Sequence, residues 1–251
     1  MILHAVDLRG SGNGVPLVML HGLFGSAGNF GVVQRRLAAD RRVVALDLRN
    51  HGTSPHAAAM DYPTMAADVI ETLDGLGLGS VALLGHSMGG KVAMAAALLH
   101  PARIERLVVA DIAPVPYAPH FRAIATAMLA VPVGNTRAEA DAALAHIIAE
   151  PALRGFLLQN FRPGVGWRIG LNEVAAALPS IEDWAATGTY PGPALSLLGE
   201  RSEYVLPEHR PLFRALFPAI RFNTLHDAGH WLHADAPDAF VGAVQKFMSA
   251  A

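Results

Sequence analysis

Cysteine is missing from this chain of 251 residues. Its absence excludes a disulfide scaffold and a thiol nucleophile, and it is compatible with a reducing compartment. Charge is sparse as well: Asp, Glu, Lys and Arg supply 16% of the residues, and the net charge is −2. Such a balance gives nucleic acid or an anionic membrane surface nothing to hold, so neither is an expected partner. No apolar run reaches the ~18 residues of a membrane-spanning helix. The start, Met1-Ile2-Leu3-His4-Ala5-Val6-Asp7, lacks the basic residues and apolar stretch of a signal peptide, and a cytoplasmic location is the expectation. Internal repeats and low-complexity tracts are also missing. What remains is a chain that is 52% apolar, long enough for one large α/β domain with a real core.

Short apolar runs alternate with helical patterns along the chain. Strands are expected at residues 15–20, 42–46, 81–84, 106–110, 194–198 and 221–225. Helices are expected at 29–37, 65–76, 91–99, 207–217 and 237–248, and this rhythm implies a mostly parallel sheet covered on both faces. After Pro114 the strand pattern lapses for about seventy residues, leaving helical stretches at 121–130, 137–149, 151–159 and 172–178. Thr136 and Glu139 form a capping box for the second of these. A helical insert between strands reads as a cap over the strand ends, here residues 115–191 inserted after the sixth strand of a single domain spanning 1–251.

One stretch carries chemistry, Ser80-Val81-Ala82-Leu83-Leu84-Gly85-His86-Ser87-Met88-Gly89-Gly90-Lys91. A buried strand runs into a very tight turn and then a helix. A serine on such a turn tolerates only small neighbours two residues away, and Gly85 and Gly89 meet that need. The turn lifts the hydroxyl to a helix N-terminus, where free N–H groups favour negative charge. A serine hydroxyl becomes a nucleophile when a histidine takes its proton and a carboxylate orients that histidine. His230, behind Gly229 in the loop after the last strand, is the leading base among twelve histidines. The oxyanion of acyl transfer needs two main-chain donors. Met88 supplies one and Leu23 the other, with Phe24 as its alternative, from the loop His21-Gly22-Leu23-Phe24-Gly25. His226, His230, His233 and Asp235 are close in sequence but lack the H-E-x-x-H spacing of a helical zinc site, and no metal is expected.

The His21–Gly25 loop, Asp47-Leu48-Arg49-Asn50-His51-Gly52-Thr53-Ser54-Pro55, the serine turn and Ala228-Gly229-His230-Trp231 together resemble the α/β-hydrolase superfamily. Asn50-His51-Gly52 with Asp111-Ile112-Ala113-Pro114 is similar to the small YbfF-type esterases. The resemblance covers nearly the whole chain and is weakest in the cap. It implies an α/β-hydrolase fold and hydrolysis of carboxylic or thio esters without a cofactor. The chain departs from the superfamily at the acid. Most members carry an Asp shortly after the strand at 194–198, in a Gly-x-x-Asp setting. Here that setting is Gly199-Glu200-Arg201-Ser202. Asp111, closing the strand before the cap, is the favoured acid, Glu200 is the runner-up, and Asp227 is read as structural. Phe24, His86 and Trp231 are the expected substrate contacts, with Phe156, Phe161, Trp167 and Tyr204 as further pocket aromatics. The same fold and triad also serve carbon–carbon bond hydrolases, lactonases and perhydrolases, and a non-catalytic binding protein is the remaining alternative. A small-molecule ester is the expected partner; monomer and homodimer both stay open.

Overall fold

The computed structural model describes residues 1–250. A central sheet is formed by β1 (Ala5–Leu8), β2 (Leu17–Leu20), β3 (Val43–Leu46), β4 (Val81–His86), β5 (Ile104–Ala110), β8 (Ala194–Gly199) and β9 (Ile220–Leu225). Its order is β1-β3-β2-β4-β5-β8-β9. Only β1 runs antiparallel to its neighbour. Strands β2, β3, β4 and β8 are buried along their whole lengths, which is why each reads as an unbroken apolar run rather than an alternating one. A fully buried leucine in such a strand, Leu83 for example, is worth ~1.5–3 kcal/mol of transfer free energy. β1 escapes the sequence reading because it is a short, half-exposed edge, Ala-Val-Asp-Leu, that pairs Ala5 with Leu46 and Leu8 with Val43.

Helices cover both faces: α1 (Gly31–Leu37), α2 (Tyr62–Gly75), α3 (Met88–Leu99), α8 (Arg210–Leu216), α9 (Leu232–Asp235) and α10 (Pro237–Ser249). Asp61 starts α2 by accepting the Thr64 N–H at 2.8 Å. One core lies on the side of α2 and α3, with Val69, Leu73, Val92 and Ala96 against Leu83 and Val109. The other lies beneath α1 and α10, with Val33, Phe240 and Val244 against Leu17, Ala45 and Leu84.

Between β5 and β8 run α4 (Phe121–Leu129), α5 (Arg137–Ala145), α6 (Pro151–Leu157), a hairpin of β6 (Phe161–Arg162) and β7 (Gly166–Trp167), and α7 (Leu171–Glu182). Thr136 and Glu139 form the expected capping box at the start of α5. Two expectations are corrected here. Five strands precede this insert along the chain, not six. The insert is also not purely helical, because Phe161 and Arg162 pair antiparallel with Trp167 and Gly166. Two residues per strand are too few to leave a periodicity in the sequence. α7 continues through Pro179, where the sequence pattern ends at Leu178.

The register decides where the chemistry can sit. Leu20 lies beside Gly85, His86 beside Ala110, Ala110 beside Leu197, and Gly199 beside Leu225. The carboxyl ends of β2, β4, β5, β8 and β9 therefore form one edge, and the loops that leave them meet there. Open α/β sheets bind ligands at this edge. No helix of the described residues is long and apolar enough to cross a membrane.

Candidate active site

Ser87 stands between β4 and α3 with φ 52° and ψ −122°, a conformation that costs a non-glycine residue on the order of 1–3 kcal/mol. The surrounding contacts hold it there. Its N–H donates to the Ala110 carbonyl at 3.0 Å. A Cβ at Gly85 would collide with the Gly89 carbonyl, and one at Gly89 with the Leu20 carbonyl. The two glycines flanking the serine are thus demanded by packing of the turn against itself and against β2.

Asp111 leaves the end of β5, also in the left-handed region at φ 52°. Its carboxylate is sealed from solvent, with 1% side-chain exposure, yet every donor it needs is present. Oδ1 accepts the Gly199 N–H at 3.1 Å. Oδ2 accepts the Ser202 hydroxyl and the His230 Nδ1–H at 2.7 Å. A buried carboxylate is tolerable only when its lone pairs are filled in this way. Ser202, which stands where the superfamily carries its acid, is thus a donor to Asp111. Glu200 points elsewhere: it is 47% exposed and bonded to His226 Nδ1 at 3.0 Å and to the Asp227 N–H at 3.0 Å. Those donors hold its carboxyl below the usual carboxylate range. It has no hydrogen bond to His230, and its partner is His226 rather than the neighbouring Arg201, which donates to the Asp227 carbonyl.

With Nδ1 engaged by Asp111, the Nε2 of His230 has no hydrogen-bond partner among the described residues. Ser87 and His230 line one cavity of about 550 Å³ at the sheet edge. The main-chain N–H groups of Leu23 and Met88 find no acceptor among the described residues, whereas that of Phe24 donates to His51 Nε2 at 3.1 Å. The His51 Nδ1–H donates to the Arg49 carbonyl at 2.9 Å, which fixes the tautomer. From the cap segment, Asn160 donates to the Phe24 carbonyl at 2.7 Å. Phe24, at φ 60°, is clamped on both sides of its peptide, and the spare donor of this loop belongs to Leu23. The Asn50-His51-Gly52 triplet thus acquires a physical role that sequence could not assign, because the contact spans 27 positions.

Phe24, His86 and Trp231 all line the cavity, together with Phe156 and Tyr204. His86 Nε2–H donates to the His230 carbonyl at 2.7 Å, so it braces the histidine loop as well as the wall. Phe161 and Trp167 are not in the wall; they pack on each other at 5.1 Å in the hairpin. Phe121, Ile124 and Leu153, from α4 and α6, complete the apolar end. Sequence reasoning missed them because apolar residues at helical spacing look alike whether they face a core or a cavity. His120 and His233 also line it. The histidines near the end of the chain have separate partners: His226 bonds Glu200, His230 bonds Asp111, and His233 packs on Phe30 at 5.0 Å.

Four buried histidines share a thermodynamic consequence. Burial pushes His21, His51, His86 and His233 below their ordinary range, His51 to about 3 and His233 to about 4. Between those values and 6.5, the unfolded chain binds protons that the folded protein refuses. Stability therefore falls as pH falls through this window, by ~1.4 kcal/mol per pH unit for each histidine. His51 and His233 alone are expected to remove up to ~4 kcal/mol between pH 6.5 and 5. Urea unfolding at pH 7.5, 6 and 5 measures this, and a stability that stays flat across the three would contradict it.

Parallel strands around β4, a serine on a left-handed turn, and a carboxylate–histidine pair on the same edge define an α/β hydrolase. The chain belongs to the alpha/beta hydrolase fold family, whose sequence model matches residues 15–237. Esterase YbfF of Escherichia coli strain K12 is 38% identical over 252 residues, covering 98% of both chains. The sn-1-specific diacylglycerol lipase ABHD11 of Xenopus laevis is 41% identical over 256 residues, covering 96% of this chain and 82% of its own. Among solved structures, a marine microorganism esterase superimposes with a TM-score of 0.94 at 35% identity, covering 98% of this chain and 99% of its own.

Proposed function

We propose that this carboxylic ester hydrolase works through an acyl-enzyme on Ser87. His230 is the general base and acid, Asp111 the carboxylate that orients it, and the N–H groups of Leu23 and Met88 form the oxyanion hole. The observation that carries the reading is the 2.7 Å bond from buried Asp111 to His230, whose ring lines the same cavity as Ser87. In the reaction, His230 Nε2 takes the Ser87 proton as Oγ attacks the ester carbonyl. Charge then develops on the carbonyl oxygen, where two preorganised donors are worth most. His230 returns the proton to the departing alcohol, and water, activated by the same nitrogen, releases the acid. The buried carboxylate favours the imidazolium that forms in both steps.

The segment 115–191 acts as a cap that sets acyl preference. Ile124, Leu153 and Phe156 from this segment line the cavity with Trp231 and Phe24, and Phe156 and Trp231 pack at 5.8 Å. A space so lined suits an apolar acyl chain, supported also by the esterase and lipase relatives. The test is a p-nitrophenyl ester series from acetyl to dodecanoyl on the protein and on Leu153→Trp. Hydrolysis without an added cofactor is expected. The bulkier indole is expected to lower kcat/KM for the long chains by ~10-fold or more while sparing acetyl, since each lost methylene site costs about that much. No hydrolysis anywhere in the series would overturn the reading, and an unmoved chain-length profile would remove the cap from it.

A further inference from the structure

Tyr204 lies in the turn after β8, and its ring is stacked on His230 with centroids 4.0 Å apart and planes 19° apart. The Tyr204 N–H donates to Ser202 Oγ at 3.3 Å. Its carbonyl accepts the Tyr117 hydroxyl at 2.6 Å, and that hydroxyl is itself fixed by the Ala113 N–H at 2.8 Å. The phenol meets His120 Nε2 at 3.3 Å. Because His120 Nδ1–H donates to the Ala118 carbonyl at 3.0 Å, Nε2 is the acceptor and the tyrosine donates. The ring is therefore tied through the β8 turn, through the segment after β5 and through the first residues of the cap.

The His230 ring also meets His86 at 4.7 Å and 43°. The titratable groups around it come from four directions. Asp111, at the end of β5, holds Nδ1. His86, on β4, is kept neutral by burial, and His233 beyond it is depressed likewise. Glu150, Arg201, Asp235 and His120 line the same cavity and make no hydrogen bond to the His230 ring among the described residues. An aromatic face carries partial negative charge and attracts a cation lying over it. The one face of this kind stacked flat on His230 is Tyr204.

We propose that Tyr204 is a positioning residue for His230: its ring face holds the imidazole in line with Asp111 and favours the imidazolium that forms during acyl transfer. This rests on the assignment of His230 as the base for Ser87. The chemistry is unchanged by it; the proton still moves from Ser87 to His230 and on to the alcohol. The stack lowers the cost of carrying that proton.

The test measures the rate at which a fluorophosphonate labels Ser87 across pH 4.5–9, a reaction that needs neutral His230 but no ester. Wild type is compared with Tyr204→Leu, Tyr204→Met and Tyr204→Phe, with folding checked by circular dichroism. Losing a cation–π contact destabilises the protonated ring, so the acidic limb of the Leu and Met profiles is expected to move to lower pH by ~0.4–1 unit. Their plateau rates are expected to fall about three- to tenfold. Tyr204→Phe keeps the ring face and gives up only the bond to His120, so its limb is expected to coincide with wild type. A role in packing alone predicts the reverse, because water admitted by the smaller side chain eases charging of the imidazole and moves the limb to higher pH. A limb that stays in place or rises in both the Leu and Met variants overturns the proposal. A shift in Phe equal to that in Leu overturns it too, since the hydroxyl would then be responsible. Leucine is branched and methionine flexible, so the two fill the site by different shapes, and one of them reports even if the other does not fold. Wild type that resists labelling would instead overturn the Ser87 reading, and this inference with it.

Discussion

Ser87→Ala is expected to lower ester turnover on the order of a million-fold, since loss of the proposed nucleophile leaves only binding and the proposed oxyanion hole. The protein should fold as before. Ser87 Oγ makes no hydrogen bond to the described residues, so the variant loses one atom at a cavity wall and no buried partner is left unsatisfied. Alanine must adopt the same left-handed turn at φ 52°, and the surrounding turn imposes that conformation on either side chain. Steady-state rates at saturating substrate, with thermal unfolding as the control, measure both halves. A serine-directed fluorophosphonate should label the wild type at Ser87 alone and leave the variant unmarked. If the variant keeps a tenth of the wild-type rate, some other group performs the attack and the assignment is lost.

The serine turn was legible in the sequence because its requirements are local. The buried strand, the two glycines and the helix lie within the consecutive residues 81–99, and the two glycines are enforced by contacts inside that span or with the adjacent strand. The order of strands and helices was legible for a related reason, since buried parallel strands write themselves as apolar runs. Half-exposed β1 and the two-residue strands β6 and β7 leave too short a pattern to read. The candidate acid lay in between. Asp111 was identifiable as the carboxylate closing a strand. The reason Ser202 suffices at the usual acid position, a hydroxyl donating back to Asp111, required two residues 91 positions apart to be seen together. His51 appeared in a motif and Tyr204 among the pocket aromatics, but the contacts they make were out of reach. Each acts through one contact made by the fold, a hydrogen bond to Phe24 or a stack on His230, and nothing in the residues around it distinguishes that role from ordinary burial.

Asp111→Asn is expected to lower turnover on the order of ten-thousand-fold, and Glu200→Gln to leave it near normal. An asparagine at 111 offers an amide N–H where His230 Nδ1–H needs an acceptor. The imidazole would then turn its proton to the nitrogen that should receive one from Ser87, and the charge that favours the imidazolium would be gone. Asparagine tolerates the left-handed conformation at this position as well as aspartate does, and its carbonyl can still accept the Gly199 N–H, so the fold should survive. Glutamine at 200 changes an exposed contact with His226 and the Asp227 N–H, at the far side of the turn from His230. Exposed pairs of this kind contribute little. The two variants are to be measured side by side at saturating substrate, with circular dichroism confirming that each is folded. If Glu200→Gln is the inactive one and Asp111→Asn the active one, the acid sits at the commoner superfamily position, and the 2.7 Å bond between Asp111 and His230 serves only to hold the loop. If both remain active, neither carboxylate orients His230, and the task falls to main-chain groups around it. Loss confined to Asp111→Asn leaves a single arrangement: the carboxylate at the end of β5 holds the imidazole, and Ser202 fills the place the usual acid would have taken.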